Sequence, residues 1–116
     1  MAEFKTYCFD LDETLCHTVD GDYVESVPYY ERIKLVNKLY DSGHRILIDT
    51  ARGSESGLDW FKLTENQLEE WGVKYHRLRV GTKFAADHYI DDKGITDTTF
   101  FPKGSKDHQM RLDIEI

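Results

Sequence analysis

The run Phe9-Asp10-Leu11-Asp12-Glu13-Thr14-Leu15 constrains this chain more than any other stretch. An apolar, β-prone segment containing Phe4, Tyr7, Cys8 and Phe9 leads straight into two carboxylates separated by one residue. A strand with that pattern buries one face and pushes its acids out at the tip. Carboxylates this close repel, so the arrangement makes sense where a cation or a shared proton holds them. The strand end therefore points to an active site that depends on a divalent ion, Mg²⁺ above all.

Strand-like runs alternate with helical patterns along the rest of the chain. Residues 4–10 read as a strand and residues 17–27 as a polar turn or short flap around Asp20-Gly21-Asp22. Pro28 then opens a helix to about Ser42, with Ile33, Val36 and Tyr40 on one face, and Gly43 sits just past its end. Residues 44–49 read as a second strand. Asp59 is placed to cap a helix to Trp71 with a buried stripe of Leu58, Phe61, Leu68 and Trp71, although Thr64-Glu65-Asn66-Gln67 resembles a capping box and allows a later start. Residues 73–80 read as a third strand and 87–91 as a short fourth. A helical turn or loop follows Ile95, and residues 104–116 carry no clear pattern. This alternation predicts an α/β domain over residues 1–116, with a parallel central sheet and helices on both faces. Such sheets carry their sites at the carboxyl ends of the strands. Asp10 and Asp12, Thr50, and Asp91 and Asp92 are each expected at such an end.

A chain of 116 residues with 40% hydrophobic content is long enough for one packed domain without a disulfide staple. Its formal charge of −7 disfavours broad binding to nucleic acid or to anionic membranes. Ten acids face five Lys and Arg in residues 1–50, against twelve and ten in residues 51–116. A cation therefore suits the early acids, and a phosphate suits the later half. No apolar run reaches transmembrane length and no signal peptide is visible, so a cytoplasmic protein is expected, with Cys8 and Cys16 as reduced, packed thiols.

Asp10-Leu11-Asp12-Glu13-Thr14, Thr50-Ala51-Arg52, Lys83 and Asp91-Asp92 together resemble the four motifs of the haloacid dehalogenase superfamily of phosphohydrolases. Gly21 to Pro28 and Tyr89-Ile90-Asp91-Asp92-Lys93 are similar to a subgroup linked to capsule and surface-polysaccharide biosynthesis. The resemblance implies a Rossmann-like fold and these roles. Asp10 is the nucleophile that forms an aspartyl-phosphate. Asp12 protonates the leaving oxygen and then activates water. Thr50 binds a phosphoryl oxygen, and Lys83 neutralises charge on the phosphoryl group and Asp10. Thr14 orients the turn around Asp12 and, with Ala51 and Arg52, borders the substrate. Mg²⁺ is held by Asp10, Asp12 through its carbonyl, Asp91 and Asp92. Phe84 stands where the subgroup carries proline after its lysine, which leaves Lys93 as the alternative to Lys83.

Each residue also has an ordinary reading. Thr50 alone is a strand end, Arg52 a surface partner for Glu55, Asp91-Asp92 a loop. Asp49 is expected to hydrogen-bond a neighbouring helix or loop, and Trp60, Phe61 and Trp71 to be core. His17, His76 and His88 lack metal-ligand spacing.

The intervals between the motifs house a flap, single helices and a strand, with no room for a cap domain. The site is then open, or covered by a second copy in a homo-oligomer, with residues 17–27 and the Gly- and Ser-rich loop 53–57 as specificity elements. The expected activity is a Mg²⁺-dependent phosphomonoesterase acting on a phosphorylated sugar or similar small metabolite. The alternatives are a phosphatase of protein phosphoserine or nucleic-acid 3′-phosphates, and a non-catalytic phosphate-binding module.

Overall fold

The computed structural model describes residues 3–107. Three strands, β1 (Thr6–Phe9), β4 (Arg45–Thr50) and β5 (Arg77–Val80), form a parallel sheet in the order β1-β4-β5. Two short strands, β2 (Cys16–His17) and β3 (Val27–Pro28), pair antiparallel outside it. Three helices, α1 (Tyr30–Asp41), α2 (Phe61–Glu70) and the single turn α3 (Asp97–Phe100), complete the α/β architecture.

Register fixes the two faces of the sheet. Tyr7 pairs with Ile46, Phe9 with Ile48, Ile48 with Leu78 and Thr50 with Val80, so these side chains share one side. That side is the core: Phe9, Ile46 and Ile48 pack with Ile33 and Val36 of α1, Leu68 of α2, Trp71, Val73 and Phe101. The opposite side carries Cys8, Arg45, Leu47, Asp49, Arg77 and Arg79 around a shallow depression of about 260 Å³. The described helices thus cover one face, where a doubly covered sheet was expected. The cause is topological. Both crossovers, β1 to β4 and β4 to β5, step in the same direction, and right-handed crossovers then lay their helices on the same side. Cys8 is exposed on the bare face, so the packed-thiol expectation holds only for the buried Cys16.

Several boundaries move for local reasons. Pro28 belongs to β3, bridged to Cys16, and α1 begins at Tyr30. Gly43 closes α1 at φ +100°, where a Cβ would meet the Phe4 ring at 2.6 Å. Asp59 Oδ1 accepts from the Phe61 N–H at 3.0 Å, and α2 starts there unbroken by the Thr64 segment. The expected fourth strand does not form. Tyr89 and Ile90 are exposed, and Asp91 Oδ1 accepts from the Lys93 and Gly94 N–H groups, closing a turn. The single turn α3 lies where a helical turn or loop was expected after Ile95. Of the unplaced stretch 104–116, residues 108–116 lie outside the described residues.

Asp49 bonds the neighbouring strand, through Arg79 Nη2 at 2.7 Å, and not a helix or loop. Arg32 is a second surprise. Its guanidinium is buried on α1, donating to Ser105 Oγ at 2.8 Å, the Thr14 carbonyl at 2.9 Å and Asp97 Oδ2 at 2.8 Å, and it lies 4.6 Å from the centre of the Phe101 ring. One residue ties the C-terminal part to the turn that follows β1. Arg32→Ala is therefore expected to lower unfolding free energy by about 2–4 kcal/mol, read from urea titration, through lost packing and the loss of three hydrogen bonds, with Asp97 left to Lys106 at 3.7 Å.

Candidate active site

A cavity of about 430 Å³ opens at the carboxyl ends of the parallel strands. Asp10 and Asp12 from the turn after β1, Thr50, Ala51 and Arg52 from the end of β4, Ser54 to Ser56 from the following loop, and Lys83 from beyond β5 all line it. Residues distant in sequence meet there because parallel strands end on one edge.

The turn after β1 is wound tightly. The N–H groups of Thr14, Leu15 and Cys16 all reach the Leu11 carbonyl, at 3.1, 2.8 and 3.3 Å. Leu11 and Leu15 are fully buried and anchor the turn. Glu13 takes φ 67°, a conformation that non-glycine residues rarely adopt. Its carboxylate is secured by the Thr18 N–H at 2.8 Å, His17 Nδ1 at 3.0 Å and the Tyr29 hydroxyl at 3.3 Å. This places backbone strain between the two acids of the motif and the chain that leaves it.

Asp10 lies at the cavity floor with its side chain 43% exposed. Lys83 Nζ approaches Oδ1 at 3.4 Å and the Thr14 hydroxyl donates to Oδ2 at 3.5 Å. Burial pushes the Asp10 carboxyl above its ordinary range, and the Lys83 ammonium works against that rise. Lys83 also sits 4.5 Å from the centre of the Tyr89 ring. Lys93 does not line the cavity, so Lys83 supplies the cation beside the acid.

Asp12 is held by Arg52, and here the structure departs most from expectation. The Arg52 side chain has no exposed surface. Nε donates to Asp12 Oδ2 at 3.0 Å and Nη2 to Oδ1 at 2.8 Å, a fork that fixes the carboxylate plane. Nη1 donates to Gln67 Oε1 at 2.7 Å and Thr64 Oγ1 at 3.1 Å, and Nη2 also reaches Ser26 Oγ at 3.3 Å. The Tyr23 ring lies 4.6 Å from the guanidinium carbon. Arg52 borders the cavity but does not pair with Glu55; its donors are engaged inside the protein. Thr18 gives Asp12 Oδ1 a further hydrogen bond at 2.6 Å.

Thr50 is buried, with Oγ accepting from the Arg52 N–H at 3.3 Å, which leaves its own hydroxyl proton available. The Thr14 hydroxyl touches Asp10, and Thr14 is not among the residues that line the cavity. The buried Cys16 thiol is pushed up to about 12, by burial first and by Asp12 next, and is inert.

The expected metal ligands do not assemble. Asp91 and Asp92 are exposed in the loop after β5 and absent from the cavity wall. Among the described residues no group of three His, Cys, Asp or Glu side chains is placed to hold an ion. Asp91 spends Oδ1 on the Lys93 and Gly94 N–H groups, and without a fourth strand nothing carries it to Asp10. The carboxylates gathered near the strand ends are Asp10 and Asp12, and an Mg²⁺ held there would fill its remaining positions with water or phosphate oxygens.

Thr18, Ser26, Thr64 and Gln67, all needed around Asp12 and Arg52, escape sequence reasoning. The one available signal was a polar pair, Thr64 and Gln67, three residues apart on the inward side of a helix.

No family model matches the chain, and no curated protein matches it. A crystal structure of a structural-genomics target from Vibrio cholerae is similar, with TM-score 0.74 and 24% identity over 84% of this chain and 87% of that one. This likeness concerns the fold alone. No helix among the described residues is long and apolar enough to cross a membrane.

The raised Asp10 carboxyl has a consequence for stability. The folded protein holds this proton more tightly than the unfolded chain, so ionisation costs stability as pH rises through the raised value. Asp10→Asn removes that cost. It should melt at a higher temperature than the wild type at pH 7, with the margin closing below about pH 4, the ordinary carboxylate range.

Proposed function

We propose that this chain is a phosphomonoesterase of haloacid dehalogenase type, working through an aspartyl-phosphate on a small phosphorylated metabolite such as a sugar phosphate. The observation that carries the reading is Asp10: a half-exposed carboxylate on the cavity floor, with Lys83 Nζ at 3.4 Å and a second, clamped carboxylate two residues on. A carboxylate so placed attacks phosphorus, and the bond to the leaving alcohol breaks. Asp12 gives its proton to the departing oxygen, then takes one from the water that cleaves the acyl phosphate and releases inorganic phosphate. The Arg52 fork keeps Asp12 in one rotamer throughout. Lys83 and the Thr50 hydroxyl balance charge on the phosphoryl oxygens.

The size of the cavity, about 430 Å³, suits a metabolite. Its wall carries Asp10, Asp12 and Glu55 against Lys83 and an already paired Arg52. A phosphate dianion therefore enters more readily with a cation. We retain Mg²⁺ in the proposal as an ion that accompanies substrate rather than one lodged beforehand. Bound there, it would supply charge neutralisation between carboxylate and phosphate.

Purified protein should hydrolyse p-nitrophenyl phosphate and members of a sugar-phosphate panel. Asp10→Asn should lower kcat by at least about 1,000-fold while remaining folded. Turnover should fall to background in EDTA and return with Mg²⁺. Calorimetric titration with Mg²⁺ alone should show only weak binding. Wild-type protein inactive on every phosphomonoester, with Mg²⁺ present, would remove the reading.

A further inference from the structure

Ser54 carries a hydroxyl that the resting protein does not use. Its Oγ is buried without a hydrogen-bond partner, alone in this respect among the described residues. The residue lines the same cavity as Asp10, Thr50 and Lys83. Buried hydroxyls are nearly always paired, because an unpaired one has lost water and gained nothing. The nearby Ser56, though exposed, has its Oγ accepting from the Leu58 N–H at 3.2 Å.

The backbone has little freedom to relieve Ser54. Gly53 holds φ +83°, and a Cβ there would lie 2.2 Å from the Leu58 carbonyl and 2.9 Å from the Trp60 ring. The Ser54 N–H donates to the Ala51 carbonyl and the Gly57 N–H to the Gly53 carbonyl, both at 2.8 Å. What remains free is the side-chain torsion. In the same turn, the N–H groups of Gly53 and Glu55 have no acceptor among the described residues. Two donors without acceptors, flanking the bonded Ser54 N–H beside a cavity that the Lys83 ammonium also lines, give an oxyanion partners there.

We propose that Ser54 is a phosphate-binding residue, its hydroxyl turning into the cavity to donate to a non-bridging oxygen of the bound group. This rests on the phosphatase reading for the identity of the anion. The unpaired hydroxyl makes the empty loop costlier than the filled one, so binding relieves an existing penalty.

The test compares the full chain with Ser54→Ala and Ser54→Gly, in thermal melts with inorganic phosphate and Mg²⁺ and in p-nitrophenyl phosphate kinetics. Without phosphate, Ser54→Ala should melt no lower than the wild type, since no partner is lost. Its phosphate Kd should rise about tenfold, the value of one ordinary hydrogen bond, and kcat/KM should fall by a similar factor. Ser54→Gly should show the same loss of phosphate affinity and serves if the alanine variant fails to fold. A lower melting temperature for Ser54→Ala in phosphate-free buffer, unchanged phosphate affinity in either variant, or no stabilisation of the wild type by phosphate would each overturn the assignment. Ser54-dependent phosphate binding without any hydrolysis would sink the enzyme reading and leave this one standing. Hydrolysis indifferent to Ser54 would do the reverse.

Discussion

The buried Arg52 guanidinium is the constraint around which the carboxyl edge of the sheet is organised. A guanidinium taken out of water without partners costs several kcal/mol, so all of its donors must find acceptors. The chain supplies them from four places: Asp12 after β1, Ser26 before β3, and Thr64 and Gln67 on α2. Each acceptor is thereby fixed in position. The β2–β3 hairpin closes over the site because Ser26 and Tyr23 complete the cage, with Gln67 Nε2 donating back to the Tyr23 carbonyl at 2.6 Å. α2 presents polar residues inward for the same reason. A lysine in this position would offer one point charge and no fork, and would leave most of these acceptors unpaired.

That dependence explains what was legible in the sequence. The apolar run into Asp10, the run into Thr50 and the Gly43 stop all act locally, and the strands and helix they announce are present. The convergence of Asp10, Thr50 and Lys83 follows from parallel topology alone. The buried side of α2 was not legible. Hydrophobic spacing favoured Leu58 and Phe61, yet both are exposed, while Thr64 and Gln67 are buried. Periodicity counts apolar side chains and cannot anticipate a polar core that exists to satisfy one arginine forty residues from its carboxylate partner. Residues 87–91 fail differently. Their β propensity is real, but a short strand needs a neighbour and a face to bury. Ile90 finds neither and is 95% exposed.

Arg32 performs for the N-terminal end of α1 what Arg52 performs for the cavity. It joins Thr14, Asp97 and Ser105, and stacks on Phe101. A three-stranded sheet covered on one side buries a modest apolar core. Ionic cross-links between distant segments give such a core definite positions to pack against. Both arginines also border the turn after β1, Arg32 through the Thr14 carbonyl and Arg52 through Asp12. The strained Glu13 between them is thus held from two sides.

The same turn separates two acids into different electrostatic roles. Asp12 meets a guanidinium with both oxygens. Asp10 meets only an ammonium at 3.4 Å and a hydroxyl at 3.5 Å, and burial raises its carboxyl. Leu11, between them in sequence, is fully buried. The charge of the wall adds a second filter. Three carboxylates around one lysine, itself 3.4 Å from Asp10, leave no basic track for a polyanion, whereas a single phosphate needs only the few donors gathered at Lys83, Thr50 and the Ser54 loop. The proposed preference for a small phosphomonoester over a nucleic acid follows from that count.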